Sequence, residues 1–508
     1  MKTHHNTLML LPALIAGLIL IPASRVTAQT FTTFHGFTAT VVIDNGHFTF
    51  RFTNSDGVHP YAGVIPNSSG TILYGTTFQG GSLYYGTVFA VNINGTGFAN
   101  LHTFDNTNGG APVSGLTLSG STLYGTASSG GAGGVGTVFV LHTDGTGFTN
   151  LYSFTGGSDG GSPRAGLILS GNALYGTAQY GGSADNGTVF TVNTDGTGFT
   201  NLHSFTATSD SYPYANSDGA HPYAALVLSD NRLYGTASAG GGAGQGTVFA
   251  VNTDGTGFTN LHTFTARDAS SYPGTNSEGT FPYAGLILSG DTLYGTASGG
   301  GAGGVGTVFA LHTDGTGFAN LHNFDNTNGN APVSGLTLSG NALYGTASQG
   351  GRWGSGMVFA LNTDGTGFTN LHNFSPLIPD TVSVIGASTN TDGAKPNAGL
   401  LLSGNTLYGT AAEGDSGGNG TVFSLSLLRP QLTIAISRPF VILTWPANEP
   451  AAGSSGFRVQ ATLGPVSFTE ETVWTDVAVP PAVSNGQCTI TMLDGIFETR
   501  RFYRLKSL

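Results

Sequence analysis

Residues 163–205 read PRAGLILSGNALYGTAQYGGSADNGTVFTVNTDGTGFTNLHSF, and most of the chain is this unit repeated. The tetrapeptide LYGT places its tyrosine at Tyr74, Tyr124, Tyr175, Tyr234, Tyr294, Tyr344 and Tyr408, which makes seven copies. A period of about 50 residues points to a solenoid or a propeller. Within the unit, AGLILS, ALYGTA, GTVFTVN and FTNLHSF are short runs rich in Val, Leu, Tyr, Phe and Thr. Such runs favour strands, and the glycine density disfavours helix. Ser-Gly-Asn between the first two runs and Asp-Gly-Thr-Gly between the last two supply tight-turn chemistry. Each unit is therefore expected to be an antiparallel four-stranded meander. One meander cannot bury both of its faces, but seven arranged radially can.

The ends of the repeat region predict closure. The seventh copy, from Pro396, stops after GTVFSL and lacks the FTNLHSF strand. The missing strand lies at the other end of the chain, where FTTFHGFTAT (31–40) matches FTNLHSFTAT (199–208). The expectation is all-β: a seven-bladed β-propeller over 29–428, closed by the N-terminal strand beside Val422. A small β-sandwich over 429–508 should follow it. There the repeat gives way to LTIAIS, FVILTWP, GFRVQAT, CTITML and RFYRL, with Trp445 and Tyr503 as expected core aromatics.

Residues 1–28 have the form of a secretory signal peptide: Lys2, an apolar stretch from Leu8 to Ile21, and Val26-Thr27-Ala28 before Gln29. A retained anchor is the alternative reading. Nothing after residue 28 is apolar enough to span a bilayer as a helix, so the mature chain is expected to be secreted, extracellular or at the cell surface, and monomeric. Residues 29–428 carry six Lys/Arg against 21 Asp/Glu, a net charge of −15. That balance argues against a nucleic-acid partner. Cys488 is the only cysteine, so no intrachain disulfide forms.

Length variation is confined to the connectors between blades. They run 23, 8, 9, 17, 18, 8 and 22 residues from each Phe to the next Pro. In a meander they share one end with the glycine-rich loops between second and third strands, while the uniform Asp-Gly-Thr-Gly turns lie at the other end. The first connector also holds VVIDNGHFTFRF (41–52), an expected hairpin turning at Asp44-Asn45-Gly46.

The repeats resemble the GloVer tandem repeat of exported bacterial proteins of verrucomicrobia and Gloeobacter. The matching pieces are Pro-x-Ala-Gly-Leu, Leu-Tyr-Gly-Thr, Gly-Thr-Val-Phe and Asp-Gly-Thr-Gly-Phe, over residues 31–427. The resemblance implies an exported, surface-associated protein without an assigned activity. Where members carry a C-terminal sorting anchor, this chain ends RLKSL. Its C-terminal part resembles the fibronectin-like end domains of secreted verrucomicrobial proteins.

No catalytic motif is present: there is no Gly-x-Ser-x-Gly elbow, no isolated acid pair and no dinucleotide fingerprint. The fourth-strand histidines (His35, His102, His203, His262, His322, His372) sit one per blade, too far apart to share a metal, and are read as structural. An acid or amide precedes each Gly-x-x-Pro: Asp56, Asn108, Asp159, Asp218, Glu278, Asn328 and Asp392. The structural reading is a turn feeding the first strand; the functional one is calcium held by carboxylates and carbonyls, since hard cations take oxygen ligands. No cofactor is expected.

The two long connectors, 206–223 and 265–283, bring Tyr212, Tyr214, Tyr223, Tyr272 and Tyr283 near Asp218 and Glu278. Aromatic faces beside polar groups suit sugar rings, and these residues form the candidate ligand site. Loop-anchoring aromatics are the alternative. The leading functional expectation is a binding or structural module whose partner is an extracellular polysaccharide or a cell-surface component. A polysaccharide-acting enzyme, lyase or hydrolase, and a purely structural matrix protein are the alternatives.

Overall fold

The computed structural model describes residues 30–44, 50–268, 270, 273–379 and 388–427, together with seven strands between 433 and 507. Seven four-stranded antiparallel sheets form a β-propeller. Six sheets take their strands from one repeat in chain order, as with Ile168–Ser170, Ala173–Ala178, Thr188–Asn193 and Thr200–Ser204 in blade three. The seventh combines Leu401–Ser403, Thr406–Ala411 and Thr421–Ser426 with the N-terminal strand Phe31–Gly36. His35 pairs with Val422 in that register, as the sequence match predicts.

Three of the four letters of LYGT have a clear packing reason. The leucines (Leu73, Leu123, Leu174, Leu233, Leu293, Leu343, Leu407) are buried between blades. The glycine lies under the phenylalanine of Gly-Thr-Val-Phe: a Cβ at Gly235 would come within 2.6 Å of Phe249 Cζ. The threonine hydroxyl donates to a carbonyl of the next blade, from Thr76 to Ser114 through to Thr410 to Ala62. That last bond joins blade seven to blade one and completes a hydrogen-bonded ring. Nearer the axis, a Cβ at Gly63 would meet the Gly399 carbonyl at 2.7 Å, so this approach also requires glycine.

Seven hydrophobic clusters, one per blade interface, make up the core among the described residues. The cluster of Phe37, Val422, Leu73 and Phe89 bridges blade seven and blade one. Fully buried phenylalanines such as Phe89 and Phe205 contribute roughly 1.5–3 kcal/mol each by burial.

An outer girdle repeats at every interface. The fourth-strand ring of one blade stacks on the Asp-Gly-Thr-Gly-Phe ring of the next: His102 on Phe148 at 3.7 Å, Tyr152 on Phe199 at 3.8 Å, His322 on Phe368 at 3.8 Å. His372 stacks on Phe31 at 3.7 Å and His35 on Phe98 at 3.9 Å, so the N-terminal strand carries the girdle across both joints of blade seven. The histidines are thus interblade packing groups.

The hairpin of the first connector pairs Val41–Asp44 with Phe50–Thr53; its turn lies outside the described residues. Beyond the propeller, Thr433–Ser437, Phe440–Pro446, Gln487–Leu493 and Ala482–Ser484 form one sheet. Thr475–Asp476, Phe457–Leu463 and Arg501–Ser507 form another. The expected sandwich packing and the Trp445 and Tyr503 side chains lie outside what is described.

Candidate functional site

The connectors and the loops between second and third strands meet at one end of the ring, through bridges such as Gly110 to Ser129 and Thr280 to Gly299. Each connector is closed by its acid or amide, which reaches back to the end of the fourth strand. Asp218 accepts from the Thr206 N–H and hydroxyl and lies 3.0 Å from His203 Nε2. Asp392 does the same with Ser375 and His372, and Asp159 takes the Thr155 N–H and the Tyr152 hydroxyl. Glu278 accepts the Thr265 N–H and lies 3.4 Å from His262 Nε2. Burial pushes the Asp218 carboxyl up, but the His203 and Thr206 hydrogen bonds and the His203 charge outweigh it, holding it below its usual range. These oxygens are committed within the fold, so Asp218 and Glu278 serve as connector clasps. Among the described residues no group of three or more His, Cys, Asp or Glu could hold a metal ion.

Inside this face, on the axis, is a funnel of about 560 Å³ lined by all seven blades. Its lip follows a repeated backbone device. The residue before each entry proline, namely His59, Ala111, Ser162, His221, Phe281, Ala331 and Lys395, has a φ between 51° and 58°. Left-handed backbone costs a side-chain-bearing residue about 1–2 kcal/mol. It is held by an N–H bond to the preceding blade, as from His221 to the Asn186 carbonyl and from Phe281 to the Gln245 carbonyl. The residue after the proline then lines the funnel.

Around the ring those positions are Tyr61, Val113, Arg164, Tyr223, Tyr283, Val333 and Asn397. Tyr223 and Tyr283 pack edge to face with centroids 5.5 Å apart. Arg164 Nη1 donates to the Tyr223 hydroxyl at 3.2 Å, and its guanidinium carbon lies 5.4 Å from the Tyr223 ring centroid. Tyr61 packs on Phe78, the funnel's fourth aromatic, at 5.4 Å. Burial, helped by the Glu413 charge and the Tyr223 phenol, pushes the Tyr61 hydroxyl up; burial with Tyr223 and Tyr180 does the same to Tyr283. Both phenols stay neutral and can donate hydrogen bonds.

The sequence-predicted residues divide between two places. Tyr223 and Tyr283 are in the funnel. Tyr212 and Tyr214 are exposed, at 67% and 56%, and line a separate cleft of about 360 Å³ with Arg267, Phe281 and His221. The two long connectors do share that cleft. Tyr272 lies outside the described residues. Tyr61, Phe78 and Arg164 were not singled out by sequence, although one signal was available. The position after each proline differs around the ring, while the proline before it is invariant and the residues after it stay small.

Solved structures of low identity align with the chain. An oligogalacturonate lyase in complex with manganese is 11% identical, with a TM-score of 0.43, covering 79% of this chain and 97% of its own. The β-propeller domain of the Trilobed protease from Pyrococcus furiosus is 8% identical, with a TM-score of 0.41, covering 72% and 95%. A chain of a nidogen/laminin complex is 15% identical, with a TM-score of 0.37, covering 60% and 93%. At these values no activity or ligand carries over. No curated protein matches the chain. The Gloeobacter/Verrucomicrobia repeat family matches residues 24–217 and 214–384, spans that hold the N-terminal strand, blades one to six and the funnel residues from Tyr61 to Val333. The chain belongs to the Gloeobacter/Verrucomicrobia repeat family.

Proposed function

We propose that this protein is an exported binding module whose propeller, residues 29–428, takes a glycan in the axial funnel of the connector face. Residues 429–508 then form a separate C-terminal β-domain. The apolar stretch Leu8–Ile21 and the small-residue junction at Ala28 support export. The observation that carries the binding reading is the ring of post-proline positions. A scaffold repeated seven times places Tyr61, Tyr223 and Tyr283 around one cavity, with Phe78 beneath Tyr61. Ring faces take the apolar faces of sugars, and neutral phenols donate to their hydroxyls. The described lining contains no Asp, Glu or His, so a carboxyl pair for glycosidic hydrolysis has no groups there. The outer cleft of Tyr212, Tyr214 and Arg267 lies on the same face and serves as a secondary contact for a longer chain.

A glycan array probed with the full chain tests this. Replacing Tyr61, Tyr223 and Tyr283 together by alanine should abolish binding, since each aromatic anchor lost costs about 2 kcal/mol or more. The variant's melting temperature should stay close to that of the parent, because valine fills the same ring position in two other blades. Unchanged affinity in the triple variant would move the site out of the funnel.

A further inference from the structure

We propose that the glycan bound in the funnel is acidic, and that Arg164 reads a sugar carboxylate. The inference rests on the funnel reading above and adds the charge of the ligand to it.

Arg164 is the only charged side chain among the described residues lining the funnel. It sits at the centre of a propeller whose formal charge is −15 over residues 29–428, yet none of the ion pairs among the described residues includes it. Lys395, on the same face, is already neutralised by Glu413 at 2.8 Å. Of the Arg164 donors, Nη1 reaches the Tyr223 hydroxyl, while Nε is buried with no acceptor. The planar fork of a guanidinium matches the two oxygens of a carboxylate in a way that a lysine would not.

The fold has no need of an arginine there. Blades two and six fill the equivalent position with Val113 and Val333, and their entry strands keep the same register with LYGT. Arg164 is therefore an addition to the scaffold, and Tyr223 fixes it over the cavity. A single cation in a surrounding negative field favours a singly charged group. A phosphate, at nearly two charges, meets the same acidic propeller with only one guanidinium to offset it. A uronic-acid residue, stacked on Tyr223 or Tyr283 with its carboxylate on Arg164, satisfies both halves of the site.

The test is calorimetric titration of the full chain with three oligosaccharides of equal length: a polyuronate, its methyl-esterified neutral form, and a sulfated neutral glycan. The polyuronate should bind on the order of 10- to 100-fold tighter than the ester, the range expected for one charged hydrogen-bonded contact. That margin should shrink with added salt. Arg164→Val should remove the preference, with polyuronate affinity falling further than ester affinity, and should leave the melting temperature close to that of the parent. Arg164→Lys should keep only part of it. Equal binding of polyuronate and ester would overturn the acidic-ligand inference and leave the funnel reading standing. So would a preference that survives Arg164→Val, which would place the reader elsewhere. Binding of the sulfated glycan alone would overturn the carboxylate assignment. Failure of all three, and of every glycan on the array, would overturn both readings.

Discussion

The outer girdle and the funnel rim are each built from one position per blade, and they face opposite demands. In the girdle, six of seven fourth strands present a histidine and the seventh a tyrosine, each stacked on a phenylalanine of the next blade. At the rim the seven positions hold three tyrosines, two valines, an arginine and an asparagine. The girdle sits where every interface has the same geometry, so one chemical solution serves all seven. The rim sits where all seven blades face one shared funnel on the axis, so differing residues each present a different group to the same space. Under the proposed binding role, the uniform positions of the repeat serve assembly and the non-uniform ones serve the ligand.

The largest effect should come from cutting the girdle at its closing joint. Deleting residues 29–38 removes Phe31, stacked on His372, and the fully buried Phe37. Truncating a buried phenylalanine alone costs about 3–5 kcal/mol, against a typical stability of about 5–15 kcal/mol. The deletion also leaves Thr421–Ser426 as an unpaired edge. The expected result is a broad, early thermal transition and aggregation through that edge. A deletion variant that melts as sharply and as high as the parent would break the closed-ring description.

That closure was legible because the N-terminal decapeptide and the blade-three strand are nearly the same sequence, and sequence identity survives any distance along the chain. Strands, turns and blade count were legible for the same reason. The funnel was not, because its residues come from positions as far apart as Tyr61 and Asn397 and meet only after radial assembly. The reading of the long connectors found their aromatics but grouped them by nearness in sequence. The structure sends Tyr223 and Tyr283 inward, because each follows an entry proline, and leaves Tyr212 and Tyr214 outside. Asp218 and Glu278 had both a turn reading and a ligand reading in the sequence, and their bonds fit the turn reading. They reach the fourth-strand histidines and the connector backbone.

A smaller effect should separate two versions of the girdle. Burial, opposed by the Asp105 charge and the nearby Asn108 side chain, pulls His102 down to about 4, and burial also lowers His322, opposed by the nearby Asn328 side chain. An unfolded histidine titrates near 6.5. The folded state therefore resists protonation that the unfolded state accepts, and stability should be complete above about pH 6.5 and fall as the pH drops toward 4. Asp56, Asp218 and Asp392 act lower down. Burial raises each, but histidine and Thr or Ser hydrogen bonds outweigh it. Their contribution is present above the unfolded value near 3.9 and is lost as pH falls through the depressed folded values. Asn108→Asp gives blade two the acid clasp of blade four. It should raise the His102 pKa, read by NMR of the ring protons, and reduce the loss of melting temperature between pH 7 and pH 5. An identical His102 titration in the variant would show that the clasp residue does not control the girdle histidine.

The smallest effect concerns the boundary of the variable region. Tyr212 and Tyr214 are the most exposed tyrosines of the described chain, with rings 6.5 Å apart and edge to face. They share their cleft with Arg267, which lies 4.8 Å over the Phe281 ring. Phe281 is the residue before the blade-five proline, so the cleft adjoins the lip of the funnel next to Tyr283. A ligand that fills the funnel and is long enough to leave it on that side would run onto these rings. Tyr212→Ala with Tyr214→Ala should leave the melting temperature within about 1 °C, since exposed side chains away from structural features change stability by within about 0.5 kcal/mol. It should not alter the affinity of a short oligosaccharide. A longer chain of the same sugar should lose a few-fold in affinity, the size expected for a peripheral contact beside a buried anchor. Equal losses for short and long ligands would mean that the cleft and the funnel are one site. No loss for either would confine binding to the ring of post-proline residues and leave Tyr212 and Tyr214 as surface features of a long connector.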